Sequence, residues 1–64
     1  MTLTNITATD KFNCAQRELK MREKVYPRWI EQDRMSEGKA ALEIAIMAAI
    51  VEDYRAAAEK ERLL

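Results

Sequence analysis

Ile44 to Val51 is a run of eight residues without one polar side chain, Ile-Ala-Ile-Met-Ala-Ala-Ile-Val. On a helix turning about 100° per residue, such a run is apolar on nearly every side. A helix with that pattern is buried against more than one neighbour. The run is far too short to span a bilayer, which takes about 20 apolar residues. No secretory signal is expected either, because the first ten residues lack both a basic start and an apolar stretch. Protein, and not lipid, is therefore expected to cover Ile44–Val51.

A chain of 64 residues has little to cover it with. At this size a single core rarely supplies more than roughly 3–5 kcal/mol, and small folds add disulfides, metals or self-association. Cys14 is the only cysteine and histidine is absent, so neither an intrachain disulfide nor a closed zinc site can be built. Self-association remains. One glycine, one proline and 34% charged residues suit helices. The fold class expected is all-α: two long helices in a helix-turn-helix hairpin, dimerising about a two-fold axis into a four-helix bundle.

Along the chain, residues 1–8 read as a mobile tail and 9–64 as the hairpin. Thr9 or Asp10 is the expected N-cap of the first helix. Phe12, Ala15, Leu19, Tyr26 and Trp29 recur at helical spacing and form one stripe. Pro27 removes a hydrogen bond to Glu23 and crowds that turn, so the helix is expected to kink there and continue. Glu31 to Ser36 form the turn, with Asp33 suited to the left-handed position after a helix end. Ser36 caps the second helix.

On that helix Ile44, Ile46, Met47, Ile50, Val51, Tyr54 and Ala58 fall within an arc of about 160°, wider than one partner helix covers. Ile44, Ile46, Met47, Ile50, Val51 and Tyr54 are the expected self-association residues. Glu43 lies inside the arc, either as an edge residue reaching solvent or paired with a first-helix arginine such as Arg22, which would fix register.

Catalytic chemistry is not expected. Without histidine there is no Ser-His or Cys-His pair, and the chain has no Gly-rich phosphate loop, metal motif or EF-hand loop. No cofactor is expected. Cys14 fits a small buried hydrophobe better than a reactive thiol. Tyr26, Trp29 and Tyr54 serve as core or, in a second reading, as binding anchors. Tyr26-Pro27-Arg28-Trp29 concentrates the residue types that dominate binding hot spots, so Arg22, Tyr26, Arg28 and Trp29 are the candidate partner-binding set. Lys11 to Arg28 carry a charge of +4 and Glu31 to the end −3, with Asp10 closing the balance at zero. Arg17, Lys20, Arg22, Lys24 and Arg28 spread around the helix with acids between them, as on a solvated face. With a pI of 6.2, nucleic acid is the less favoured partner.

The stretch Cys14…Arg17-Glu18-Leu19…Met21-Arg22-Glu23-Lys24-Val25-Tyr26-Pro27-Arg28-Trp29-Ile30, followed by Arg34-Met35-Ser36…Ala40…Glu43-Ile44…Met47…Ile50-Val51…Asp53-Tyr54, resembles a family of short proteins encoded in tailed phages and prophages of proteobacteria. The resemblance covers about residues 11–55. It implies a phage origin and a cytoplasmic site of action in a bacterial host. By analogy of genome context, it implies an accessory protein that binds, and inhibits or modulates, a host defence or regulatory protein. Alternatives are a nucleic-acid binder using the basic first helix and a structural part of a phage assembly.

Overall fold

The computed structural model describes residues 5–64 and is all-helical over them, with α1 spanning Ala8–Glu31 and α2 spanning Glu37–Leu63. Of the expected tail, residues 1–4 lie outside the described residues, and Ala8 already belongs to α1.

The first helix begins earlier than the expected cap at Thr9 or Asp10. Thr7 is the N-cap: its hydroxyl accepts from the Asp10 N–H at 3.1 Å, and its own N–H donates to Asp10 Oδ2 at 3.0 Å. This reciprocal pair satisfies two free donors, where a cap at Asp10 would satisfy one. Glu61, near the end of α2, accepts from the Ala8 N–H at 2.8 Å and from the Thr9 hydroxyl at 3.3 Å. The open end of the hairpin is thus tied by a carboxylate placed on the positive end of α1.

As expected, α1 continues through Pro27; it ends only after Glu31. Asp33 then takes a left-handed conformation, φ 56°. Its N–H donates to Ile30 O at 3.1 Å, and that of Arg34 to Trp29 O at 2.9 Å. These two bonds are a Schellman closure, which reverses the chain within five residues. Ser36 caps α2 by accepting from the Lys39 N–H at 3.1 Å.

The two helices pack along their length as a hairpin. Ala15 meets Met47 and Val51 at the centre, with Phe12, Leu19, Ile50 and Tyr54 half-buried around them. Among the described residues only four are buried, the fourth being Ala40. The radius of gyration is 14.6 Å, well above the roughly 11 Å of a compact domain of this length. The extents, 46 × 27 × 13 Å, describe a plank one helix thick.

Candidate interaction surfaces

A plank has two broad sides and two edges, and here they differ chemically. On one broad side, Ile6, Cys14, Ala15, Met47, Ile50 and Tyr54 line an open groove of about 560 Å³. Glu18 borders it and also borders a second hollow of about 160 Å³ formed with Met21, Arg22, Val25, Tyr26 and Trp29. The two hollows thus run on along one side. Of the exposed large hydrophobic residues among those described, apart from the terminal Leu63 and Leu64, Ile6 and Met21 line these hollows and Ile46 lies beside them, while Leu42 falls on the outer edge of α2. Toward the open end of the hairpin, the other broad side is lined by Thr9, Phe12, Asn13, Arg55, Ala58, Glu59 and Arg62, and ion pairs join Glu52 to Arg55 and Glu59 to Arg62.

The six expected self-association residues divide accordingly. Met47 and Val51 are 7% and 3% exposed and belong to the hairpin's own core. Ile44, Ile50 and Tyr54 are half-buried, and Ile46 remains 45% exposed. The cause is that α1 covers the side of α2 carrying Ala40, Met47 and Val51, leaving Ile50 and Tyr54 at the margin of that contact and Ile46 beyond it. Leu42, 56% exposed, was missing from the expected set, although it sits one turn before Ile46. Cys14 is exposed on the groove instead of buried, because the side of α1 it shares with Met21 has no covering helix.

Of the four candidate partner-binding residues, three come together. Tyr26 and Trp29 have ring centroids 5.5 Å apart at a 30° tilt, and Arg22 shares their hollow. Both rings are half-buried, between the core and anchor readings. The Arg34 guanidinium, from the turn, lies 5.7 Å from the Trp29 ring, a cation–π arrangement. Arg28 is exposed and is not part of this hollow. Proline at 27 does not interrupt the i, i+3 spacing that lets Tyr26 and Trp29 meet.

Arg22 is a tie between the helices. Its Nε donates to Glu18 Oε1 at 3.0 Å and its Nη1 to the Glu43 carbonyl at 3.0 Å, with the Glu43 carboxylate 3.8 Å away. The hydrogen bond to Glu18 holds the Arg22 pKa above its ordinary value, against the opposing effect of burial. Lys39 also reaches Glu43, at 3.3 Å. Of the two readings of Glu43, the structure therefore has the paired one.

With Arg22 drawn inward, the basic set no longer spreads around α1. Arg17, Lys20, Lys24 and Arg28 fall within an arc of about 80° on the edge directed away from α2, and all four are exposed. No cluster able to hold a metal occurs among the described residues, and no described helix is long and apolar enough to cross a membrane.

No protein-family model, curated protein or solved structure matches this chain.

Proposed function

We propose that the chain is a small non-enzymatic accessory protein that acts as a helical homodimer in the bacterial cytoplasm, where it binds and modulates a host protein. The observation that carries the dimer is the one-sided distribution of exposed apolar residues: Ile6, Met21 and Ile46 on or beside one broad side, with Leu42 on the adjoining edge, in a hairpin that buries only four of its described residues. Two such sides stacked about a two-fold axis make a four-helix bundle and supply the missing core. The phage origin and the host partner rest on the resemblance drawn from residues 11–55. Tyr26, Trp29 and Arg34 are the recognition group, a paired aromatic surface with a cation over it at the turn end of the plank.

Two measurements test this. Sedimentation at several concentrations should give twice the chain mass, and a stable monomer at high concentration would remove the dimer. Capture from a lysate of a proteobacterial host should retain a partner that the Trp29→Ala protein loses while still dimeric. Equal capture by both proteins would remove the recognition group.

A further inference from the structure

We propose that the outer edge of α1 docks on the phosphate backbone of duplex DNA without reading its sequence. Among the described residues, Arg22, Lys39, Arg55 and Arg62 form ion pairs with Glu18, Glu43, Glu52 and Glu59. Lys11 and Arg34 lie over the rings of Tyr54 and Trp29. Asp10 and Glu61 are used at the start of α1. Apart from Lys60, the cations left without an ion pair or an aromatic ring are Arg17, Lys20, Lys24 and Arg28, the four that share the α1 edge. The zero net charge therefore conceals a local excess, because the acids of α2 are largely engaged with their own neighbours.

The spacing suits an extended polyanion. Positions 17, 20, 24 and 28 follow the i, i+3, i+4 steps of one helix face and span about 16 Å at 1.5 Å per residue. Two acids share that edge, Asp10 and Glu31, one beyond each end of the row, and Asp10 is engaged in the cap of α1, while Glu18 and Glu23 lie off it. A helix about 10–12 Å across fits the major groove of a duplex, about 12 Å wide. Single strands are bound by aromatic platforms interleaved with cations. Here the edge carries no aromatic residue, and Tyr26 and Trp29 are stacked on each other beside the other hollow. Lysine and arginine without a planned array of Asn or Gln provide backbone contacts and not base readout.

The test is fluorescence anisotropy with two labelled 24-base-pair duplexes of unrelated sequence, titrated from 50 to 300 mM salt. The expected result is equal affinity for both duplexes and a slope of log K against log salt of about −3.6 or steeper, from about −0.9 for each of four neutralised phosphates. Lys20→Glu/Lys24→Glu should halve that slope and weaken binding at 150 mM salt by more than about tenfold. Arg17→Gln/Arg28→Gln should weaken it in the same direction. All four side chains are exposed, so circular dichroism should show unchanged helicity. No binding at 50 mM salt, a slope shallower than about −1, or full affinity in both variants would overturn the proposal. So would tighter binding to a single-stranded oligonucleotide, to polyglutamate or to anionic vesicles than to the duplexes.

Discussion

Truncating Leu42 and Ile46 to alanine separates an interface from a solvated surface by the sign of its effect. Each substitution removes three carbons, worth about 0.8 kcal/mol apiece when fully transferred from water. In the hairpin Ile46 is 45% exposed and Leu42 56% exposed. The part that a second copy can still cover is therefore about 1.1 kcal/mol at Ile46 and about 1.3 kcal/mol at Leu42. A two-fold dimer counts each twice, so the double variant loses at most about 5 kcal/mol, or about three and a half decades in Kd. If the partner covers only half of the exposed area, more than a decade remains. In an isolated hairpin the same changes cost little, and alanine in place of isoleucine gains a few tenths of a kcal/mol in helix propensity. The assay is sedimentation equilibrium from micromolar to hundreds of micromolar, with thermal melts at each concentration. The wild-type protein should show a melting temperature that rises with concentration, as dissociating oligomers do. Leu42→Ala/Ile46→Ala should shift the mass toward the monomer and flatten that dependence. Identical mass distributions for the two proteins, or a wild-type melt independent of concentration, would refute the reasoning.

Other substitutions probe the hairpin itself. Met47→Ala removes a core residue that is 7% exposed and should cost at least about 2 kcal/mol, which leaves little folded protein by circular dichroism at this size. Asp33→Gly replaces a non-glycine at φ 56°; relief of the left-handed strain, offset by the entropy of glycine, should add about 0.5 kcal/mol and raise the melting temperature by about 2–4 °C. Arg22→Ala should destabilise by about 1–2 kcal/mol, because it deletes the bonds to both Glu18 and the Glu43 carbonyl. Glu43→Gln should cost less than about 0.5 kcal/mol, since the carboxylate sits at 3.8 Å from Arg22 and the carbonyl bond survives. Equal melting losses for Arg22→Ala and Glu43→Gln would assign the tie to the carboxylate instead of the carbonyl.

The hairpin was legible because its signals are local. Ser36, Asp33 and the apolar periods of α1 and α2 each act within a few residues, and the structure follows them. The start of α1 was misread because Thr7 and Asp10 act as a reciprocal pair, and a cap judged one residue at a time overlooks that pairing. The division of the apolar arc could not be read from a wheel of α2 alone. Whether Met47 or Ile46 meets α1 depends on how α2 rotates against its neighbour, and that rotation is set by packing across the pair. The same rotation sent Cys14 outward. Arg22 shows the limit most clearly: its sequence neighbours place it in a basic cluster, while its bond to the Glu43 carbonyl, 21 residues away, takes it out.

Although the net charge is zero, α1 carries a cationic edge and borders an apolar side. Around α1, the cationic edge and the side bearing Cys14, Met21 and Val25 lie roughly a quarter turn apart. Covering the apolar side with a second copy leaves Arg17, Lys20, Lys24 and Arg28 at the margin of the resulting bundle, still in water. In the proposed dimer each protomer would bring its own row of four charges to the same assembly. Two rows that the proposed two-fold axis turns toward one polyanion would act as one multivalent ligand, so dimerisation would raise affinity without adding a contact within either row. A dimer broken at Leu42 and Ile46 keeps each row intact. It should therefore lose salt-dependent affinity by losing multivalency, whereas Lys20→Glu/Lys24→Glu should lose it while the dimer persists.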